Sequence, residues 1–453
     1  MDLTRRNFVK SVSVATAGAA VLSPKSLFAK PSKDKIKLGF IGVGLRGEGH
    51  LALALKRNDV EVVAICDIDD RMIDRSKNII NKSGKTMPKI ITGNPYAYRD
   101  LLSIKGLDGV VIATPWEWHA PMILDALAAG IKYVGTEVIL GITLEDHWQV
   151  VKAAEKANAH VSMLENVCYR RDVMAALNMV RQGLFGEIIH LQGGYQHDLR
   201  GVKFNDGKTP YNSGVEFGEK GFSEAHWRTN HSVHRNGDLY PTHGIGPVAM
   251  MIDINRGNRF LSLSSFATKS RGLHDYIVKK GGENHPNAKV RFALGDIVTT
   301  HLKCANGETI LLQHDTNSPR PYSLGFRVQG TEGLWMDVNN SVYIEGKSKK
   351  FDEWDNAQEW FDKYDHPLWK RWANDASGAG HGGMDFFVLH GFIEAIKRGE
   401  STPLDVYDAA AWSAITPLSE KSIELGNQTV DFPDFTSGAW MQRKNTFSLN
   451  DEY

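Results

Sequence analysis

The sequence predicts an α/β protein of two domains, in which a doubly wound parallel sheet is followed by an α+β domain with a largely antiparallel open sheet. From Lys35 to about Met163, short β-rich runs alternate with helical stretches, which is typical of a parallel sheet. Beyond Glu165 the periodicity changes, and residues 305–307 (Ala-Asn-Gly) join two strand-like runs as a hairpin turn would. The length of 453 residues leaves room for a packed core in each domain.

The first domain is predicted to span residues 31–164. Its strands are expected where short apolar runs end in turn residues. These runs are Ile36–Ile41, Val60–Cys66, Gly109–Ala113, Tyr133–Thr136 and His160–Leu164. Their alternation with helical stretches indicates βαβ units, so the strands are expected to run parallel.

A glycine-rich turn directly follows the first strand. Its pattern is G-x-G-x-x-G, and a helical stretch from His50 to Lys56 comes next. In this strand-turn-helix context, the turn brings the pyrophosphate of a dinucleotide to the start of a helix, as in a Rossmann domain. The cofactor-binding residues predicted here are Gly42, Gly44, Leu45, Arg46 and Gly47.

Asp67 ends the second strand, about 20 residues after Gly47. A carboxylate at this place can accept hydrogen bonds from both ribose hydroxyls in the adenosine half of a dinucleotide. No arginine follows at Ile68 or Asp69 to neutralise a 2′-phosphate. The sequence therefore favours NAD over NADP as the cofactor.

The third of the predicted strands ends in Ala113, before Thr114 and Pro115. Nucleotides and substrates meet at the carboxyl edge of open α/β sheets. Thr114, Trp116 and His119 are therefore predicted to contact the nicotinamide or pyrophosphate part of the cofactor. A plain strand-to-helix loop, with Pro121 starting the helix, is the alternative.

The second domain is predicted to span residues 165–453. A helix from Asp172 to Arg181 and a strand from Glu187 to Gln196 open it. Two stretches, Leu199–Leu239 and Lys347–Gly383, are rich in Gly, Asn, Asp, His and Trp, so long functional loops are expected there. The other predicted elements are the strands Phe260–Ala267, Ile297–Lys303 and Thr309–His314 and the helices Met384–Lys397 and Val406–Leu425.

The first 30 residues are predicted to be an export signal. Residues 4–10 (TRRNFVK) look like a twin-arginine motif, and the weakly apolar run from Ser11 to Leu22 is too short to span a bilayer. The twin-arginine route carries folded proteins, so a periplasmic protein exported with its cofactor loaded is expected. Because no pool of free NAD recycles the cofactor there, the hydride is expected to return within the same cycle.

The charges exclude two classes of partner. The chain has 53 basic and 53 acidic side chains, and no Lys/Arg-rich run lies beyond the leader. Binding to nucleic acid or to an anionic membrane therefore has no electrostatic basis. The expected partner is a small uncharged molecule. No lipobox cysteine follows the leader, so no membrane anchor is expected.

Histidines are frequent in one region, but they lack the context of a metal site. They are His226, His231, His234 and His243. No cysteine and no H-E-x-x-H arrangement accompanies them, so no bound metal is predicted. Buried free thiols are predicted for the three cysteines, Cys66, Cys168 and Cys304.

Residues 133–143 (YVGTEVILGIT) resemble the glucose-fructose oxidoreductase/inositol dehydrogenase superfamily, whose members carry Glu-Lys-Pro at the end of this strand. Glu137 is retained, but Val138 and Ile139 stand in place of Lys-Pro. In the superfamily the lysine touches substrate and cofactor, and a valine cannot relay a proton. The exchange argues against the superfamily's ordinary dehydrogenase mechanism.

Two further blocks, residues 165–172 (ENVCYRRD) and 236–247 (NGDLYPTHGIGP), resemble glycoside hydrolase family 109, the NAD-dependent α-N-acetylgalactosaminidases. The resemblance runs from the leader to the C-terminus and includes residues 226–228 (HWR), 320–322 (RPY) and 380–385 (GHGGMD). It implies hydrolysis of terminal α-linked N-acetylgalactosamine in a small glycoside or a glycan terminus. The implied cycle oxidises the C3 hydroxyl, removes the C2 proton, eliminates the C1 substituent, adds water and reduces C3, so NAD is regenerated.

The resemblance also implies catalytic roles. Tyr169 is expected near C2 as the base, with His243 and Tyr240 around the oxidised hydroxyl and the departing oxygen. Glu137 is expected to accept a hydroxyl hydrogen bond and to contact the cofactor. Tyr169 and Tyr240 are expected to bind the substrate as well.

Binding roles are implied for three more side chains. Asn166 is expected at the cofactor, and Arg228 and Tyr322 are expected to position the sugar ring or its acetamido group. A Tyr or His in a loop can instead be a purely structural hydrogen bonder. The same choice, between stacking on a sugar and packing a loop, is open for Phe351, Trp354, Trp360, Phe361, Trp369 and Trp372.

Two other functions compete with the glycosidase. One is a periplasmic sugar oxidoreductase of the same superfamily that uses NAD or NADP and discharges its hydride onto a second sugar. The other is a non-catalytic sugar-binding protein, which the complete glycine turn and Asp67 argue against. The sequence leaves the oligomeric state open, a homo-oligomer included.

Overall fold

The computed structural model describes Lys33 and residues 35–453, so the predicted export signal lies outside the described residues. The first domain contains a parallel sheet of six strands in the order β3-β2-β1-β4-β5-β6. Its strands are β1 (Ile36–Ile41), β2 (Val60–Cys66), β3 (Lys89–Ile91), β4 (Gly109–Ile112), β5 (Tyr133–Thr136) and β6 (His160–Met163). The five predicted strands are confirmed, and β3 was missed because it has three residues, of which one is buried.

Helices connect these strands on the two faces of the sheet. They are α1 (Gly47–Lys56), α2 (Asp70–Ser83), α3 (Tyr98–Leu102), α4 (Trp116–Ala128) and α5 (Leu144–Ala157). Because β2 and β4 lie on opposite sides of β1, the chain winds away from β1 in two directions. A crevice opens at the carboxyl ends of β1 and β4, which is where ligands bind in such sheets.

The second domain has a sheet of nine strands in the order β14-β13-β12-β11-β7-β10-β9-β8-β15. Only β7 and β10 pair in parallel, so the predicted, largely antiparallel sheet is confirmed. The strands are β7 (Ile188–Gln196), β8 (Phe260–Ala267), β9 (Ile297–Cys304), β10 (Thr309–Asp315), β11 (Arg327–Gly330), β12 (Gly333–Met336), β13 (Ser341–Ile344), β14 (Asp355–Asn356) and β15 (Val430–Asp431).

Nine helices are described in this domain, and two of the longest return to the first domain. They are α6 (Arg171–Arg181), α7 (Arg200–Lys203), α8 (Glu224–His234), α9 (Thr242–Met251), α10 (Gly272–Gly281), α11 (Ala357–Tyr364), α12 (Pro367–Ala376), α13 (Met384–Arg398) and α14 (Val406–Glu424). On α14, Ser413 Oγ accepts a hydrogen bond from Leu140 N at 2.9 Å, and the ring of Phe392 on α13 lies against Gly135. One hydrophobic core therefore extends through both domains.

The prediction of two long irregular loops is wrong. The first stretch contains α8, whose buried residues are the small Ala225, Thr229 and Ser232, so hydropathy does not mark its inner face. The second contains α11 and α12, which begin where the side chains of Asn356 and His366 accept backbone hydrogen bonds. Within residues 35–453, no helix has the length and apolar character needed to cross a bilayer.

Candidate active site

A cavity of about 1080 Å³ lies at the carboxyl edge of the first sheet and is closed by residues of the second domain. A single small-molecule site usually measures roughly 300–1,000 Å³. The volume therefore leaves room for a dinucleotide and a sugar side by side. Of the residues predicted from the sequence, those that line it are Gly42, Gly44, Leu45, Arg46, Asp67, Thr114, Trp116, Glu137, Asn166, Arg228, Tyr240 and His243.

The glycine turn is shaped for close approach of a ligand to the backbone. Gly42 has a φ of 80°, and a Cβ there would lie 2.5 Å from the carbonyl oxygen of Ala113. A Cβ at Gly47 would lie 2.0 Å from the carbonyl oxygen of Gly42. Gly47 is therefore needed where the turn folds onto the start of α1, beneath the cavity wall. The amide groups of α1 then face the place of the pyrophosphate.

Asp67 lies at the adenosine end of the cavity. Its carboxylate accepts hydrogen bonds from Val43 N at 2.8 Å and Asp69 N at 3.0 Å. Burial raises the pKa of Asp67, and these backbone hydrogen bonds partly offset that rise. Arg71 lines the same end, but its guanidinium is bonded to Asp69 at 2.7 Å and packs on Phe222. The surroundings fit ribose hydroxyls better than a 2′-phosphate.

The start of α4 brings Thr114 and Trp116 to the cavity, whereas His119 lies behind it. The His119 ring is 1% exposed, and its nitrogens lie 2.5 Å from Ile139 O and 2.7 Å from Thr114 O. The predicted contact of His119 with the cofactor is therefore corrected, because the ring ties two loops of the cavity wall together. Pro121 lies inside α4, so the alternative in which it starts the helix is also wrong.

Glu137 follows β5 and lines the cavity beside Arg46 of the glycine turn, at the NAD end. Its carboxylate accepts from Arg46 Nε and contacts His50 Nε2, each at 2.6 Å. Burial raises the pKa of Glu137, but the charge of Arg46 and the hydrogen bond to His50 outweigh it and lower the pKa to about 2. Glu137 is therefore an ionised acceptor. Nearby Asn166 donates to Asp385 Oδ1 at 2.7 Å.

His243, in the first turn of α9, is oriented by a buried carboxylate. Its Nδ1 lies 2.7 Å from Oε1 of Glu165, a residue with no exposed surface. When Nδ1 donates its proton to this carboxylate, Nε2 is the ring nitrogen left to accept a proton. His243 lines the cavity and is therefore built as a general base.

Tyr195 is a cavity residue that the sequence analysis missed. Its ring lies 4.5 Å from that of Tyr240 and 5.3 Å from that of His243, and its hydroxyl is 3.1 Å from Nδ1 of His197. Burial raises the pKa of Tyr195, so the phenol is neutral. The available signal was an aromatic residue at the carboxyl end of a predicted strand, followed two positions later by His197.

Three glycines let α9 lie directly on β7. A Cβ at Gly193 would meet Gly244 O at 2.4 Å, and one at Gly244 would meet Gly194 N at 2.4 Å. Gly194 immediately precedes Tyr195 in the chain, and Gly244 immediately follows His243. This close packing sets the spacing of those two side chains.

Cationic and aromatic groups form the remaining sugar-side wall. The Arg228 guanidinium lies 5.0 Å from the Trp116 ring and 5.3 Å from the Tyr240 ring, and its Nε is 2.7 Å from Glu224. Burial raises the pKa of Tyr240 well above its ordinary value, so this phenol is also neutral. Tyr322 does not line the cavity. Its ring packs edge-on against the ring of His197, with 4.8 Å between the ring centres, and the residue is 48% exposed.

The structure does not bring Tyr169 to the cavity. The side chain is 1% exposed and packs between the rings of Phe387, at 6.2 Å, and Phe447, at 5.0 Å. Its backbone carbonyl accepts a hydrogen bond from the Trp369 indole at 2.8 Å. The catalytic and substrate-binding roles predicted for Tyr169 are therefore corrected, because its phenol lies in the core.

The histidines between residues 226 and 243 do not form one cluster in the structure. His226 lines the cavity, His231 contacts Glu117 and Trp116, and His243 pairs with Glu165. Among the described residues, no group of His, Cys, Asp and Glu is arranged to hold a metal ion. None of the aromatic residues from 351 to 372 lines the cavity. Phe361 and Trp369 are buried and therefore pack the core, whereas Phe351 and Trp354 are exposed away from the cavity.

The fold and the cavity define an enzyme that uses a dinucleotide to act on a small second ligand. Residues 36–164 match the oxidoreductase family with an NAD-binding Rossmann fold, and residues 169–442 match the C-terminal domain of glycosyl hydrolase 109. The chain therefore belongs to glycosyl hydrolase family 109. The prediction of NAD as the cofactor is confirmed.

Relatives match over the whole chain. A glycosyl hydrolase family 109 protein of Stenotrophomonas maltophilia (strain K279a) is 58% identical over 100% of this chain and 99% of its own length. An alpha-N-acetylgalactosaminidase of Tannerella forsythia is 52% identical over 99% of this chain and 100% of its own length. The domain order is thus shared with these relatives.

Solved structures share the fold at low identity. An NAD-binding oxidoreductase from Klebsiella pneumoniae has a TM-score of 0.66 and 16% identity, covering 88% of this chain and 99% of its own. A levoglucosan dehydrogenase in complex with NADH and L-sorbose has a TM-score of 0.64 and 19% identity, covering 89% and 100%. These likenesses support the two-domain oxidoreductase fold.

Proposed function

We propose that this protein is an exported glycosidase that hydrolyses terminal α-linked N-acetylgalactosamine through an NAD-dependent cycle without net oxidation. The observation that carries the proposal is the continuity of one cavity, in which the dinucleotide cradle meets two proton-accepting pairs, His243–Glu165 and Tyr195–His197. The name of the Tannerella forsythia relative supports the choice of sugar.

The two glutamates that line the cavity, Glu137 and Glu224, argue against ordinary hydrolysis. That route needs one neutral carboxylic acid and one carboxylate across the bond. Glu137 has a pKa of about 2 and is bonded to Arg46, and Glu224 is ion-paired with Arg228 at 2.7 Å. Neither is arranged as a proton donor, whereas the neutral phenols of Tyr195 and Tyr240 and the imidazoles of His197 and His243 are placed to exchange protons.

NAD bound at the glycine turn would supply a hydride acceptor that later returns the hydride to the same sugar carbon. His243 Nε2 takes the proton of the C3 hydroxyl, and Glu165 stabilises the imidazolium that forms. The new ketone makes the C2 hydrogen acidic. Tyr195 takes that proton at its oxygen while its phenol proton passes to His197 Nδ1, 3.1 Å away.

Tyr240 completes the cycle at C1. Its neutral phenol can donate a proton to the departing oxygen and take one from the water that adds to C1. His243 then returns the proton of the C3 hydroxyl. Tyr195 returns a proton to C2 while it regains its phenol proton from His197, which restores the starting protonation. Arg228 and Tyr322 flank these groups and would orient the acetamido group and the ring.

Hydrolysis in heavy water tests the proposal. The unaltered protein, purified without added NAD, is given a chromogenic α-N-acetylgalactosaminide, and the released sugar is examined by NMR. Deuterium at C2, with bound NAD unchanged in amount, is expected. Full retention of the C2 hydrogen would refute elimination, and accumulation of NADH would identify a sugar oxidoreductase instead. Asp67→Ala, which removes the ribose acceptor, is expected to reduce the NAD content.

Export is tested separately with Arg5→Lys combined with Arg6→Lys. The twin-arginine receptor reads the paired guanidinium groups, so this variant is expected to stay in the cytoplasm. Normal export of the variant would refute that route and, with it, the idea that the cofactor is loaded before export.

A further inference from the structure

A segment of the second domain, residues 380–385 (GHGGMD), reaches the glycine turn of the first. Its buried Asp385 accepts hydrogen bonds from Arg46 Nη1 at 2.8 Å and from Asn166 Nδ2 at 2.7 Å. Nδ1 of His381 lies 2.8 Å from the same carboxylate. One carboxylate thus joins three residues at the NAD end of the cavity. The proton transfers proposed above use none of these contacts.

The backbone of the segment is shaped around Asp385. His381, Gly382 and Gly383 have left-handed φ angles of 52°, 68° and 100°. A Cβ at Gly380 would lie 2.3 Å from Asp385 Oδ2, and one at Gly383 would lie 3.0 Å from the Trp369 ring. Gly380 and Gly383 therefore have no space for a side chain, and the turn holds His381 against the carboxylate.

Asp385 also determines which nitrogen of His381 is available to a ligand. Burial raises the pKa of Asp385, but the hydrogen bond from His381 and the charge of Arg46 outweigh it and hold the pKa well below its usual range. The ionised carboxylate accepts the Nδ1 proton, so Nε2 is the free acceptor. His381 lines the cavity with a side chain that is 58% exposed.

We propose that residues 380–385 form a clasp over the middle of bound NAD, in which His381 Nε2 accepts a hydrogen bond from a ribose hydroxyl of the cofactor. Asp385 positions His381 from one domain and Arg46 from the other. NAD can then leave only when these contacts between the domains open. The clasp slows cofactor release, as a cycle that regenerates its own NAD requires.

His381→Asn tests the contact. Asparagine tolerates the left-handed backbone, and its amide can replace Nδ1–H toward Asp385, so only Nε2 is lost. Bound NAD is exchanged for isotopically labelled NAD in the absence of glycoside, and the cofactor is analysed by mass spectrometry. Exchange about tenfold faster is expected from the loss of one hydrogen bond. His274→Asn, at an exposed histidine of α10 outside the cavity, is the matched control.

Asp385→Asn tests the positioning role. Exchange is expected to accelerate by about 100-fold, because both Arg46 and His381 lose a charged acceptor. The clasp is refuted if His381→Asn exchanges NAD at the wild-type rate, whatever Asp385→Asn does, or if His274→Asn accelerates exchange equally. Because no glycoside is present, exchange reports on the clasp alone. Absent hydrolysis by the unaltered protein would refute the proposed function and leave this result standing.

Discussion

The two ends of the cavity are built from different chemical groups. At the NAD end, backbone amides and carboxylates already bond to protein partners, as Asp67 does to two amides and Glu137 to Arg46. At the sugar end, aromatic rings surround proton acceptors such as His243 and His197. This difference indicates that the NAD end holds the cofactor in place, whereas the sugar end exchanges protons with the substrate.

The charges follow the same division. The pKa of Glu137 is lowered to about 2, so its charge does not change during turnover near neutral pH. Burial raises the pKa of Tyr195 and of Tyr240, so both phenols begin each cycle neutral. Changes in protonation are therefore confined to the sugar end.

Among the variants that test this comparison, His243→Ala is expected to reduce activity most. Loss of the base for the first step is expected to reduce hydrolysis by about 10⁴-fold, the upper range for a positioned acid or base. Reduction of bound NAD by substrate in a single turnover, followed by absorbance, is expected to fail as well. His274→Ala is the control. Normal NAD reduction in His243→Ala would assign the hydroxyl proton to another residue.

Tyr195→Phe is expected to lose about 10²–10³-fold in hydrolysis, because the C2 proton has no acceptor. The first step remains, so substrate is still expected to reduce bound NAD. Deuterium incorporation at C2, measured on recovered substrate, is expected to disappear. Unchanged C2 exchange in this variant would contradict the role of Tyr195.

Gly244→Ala tests the packing that spaces the two proton acceptors. The added Cβ would lie 2.4 Å from Gly194 N, so α9 must shift and overpacking is expected to cost about 1–3 kcal/mol in unfolding free energy. An accompanying fall of about tenfold in activity is expected from the misplaced His243. Gly49→Ala, where no atom lies within 4 Å of the new Cβ, is the control. Full activity with wild-type stability would show that the spacing tolerates a methyl group.

The stability that Glu137 contributes at the NAD end is expected to depend on pH. A carboxylate with a lowered pKa in the folded state stabilises the protein above its unfolded pKa, and this contribution is lost as the pH falls toward the folded pKa. For Glu137 the window runs from its ordinary 4.5 down to about 2. Thermal unfolding of Glu137→Gln is expected to vary less with pH in that window than that of the unaltered protein. Parallel curves would contradict the effect.

Tyr169→Phe is expected to have the smallest effect. Its phenol lies in the core beside Gly391, so activity is expected to stay within about twofold, while unfolding free energy changes by about 1 kcal/mol. Kinetics measured beside Tyr195→Phe make the comparison direct. A loss of several orders of magnitude in Tyr169→Phe alone would restore the assignment made from the sequence.

The NAD end was predictable because its chemistry is local. Residues 42–47 follow one strand without interruption, and Asp67 directly follows the next. Tyr195, Arg228 and His243 come instead from β7, α8 and α9, and only tertiary packing brings them together. The family resemblance pointed to Arg228 and His243, whereas Tyr195 was missed. Distance along the chain hides such a cluster from motif analysis.

Tyr169 shows the converse difficulty. It stands three residues after Asn166 in a block that resembles the family, so a place in the site followed from the sequence. Its ring is held in the core by Phe387 and by Phe447, the latter from the C-terminal tail. Local sequence cannot reveal that a segment so far along the chain covers a tyrosine.

Tyr195 lies near the end of β7, the fifth of nine strands in its sheet, with four strands on either side. Central strands open last when a protein fluctuates, so their amide hydrogens exchange slowly with solvent. Local opening at β14 or β15, the edges of this sheet, would leave the Tyr195 backbone in place. The side chain proposed to take the C2 proton is thus carried by the strand of this sheet that is expected to open last.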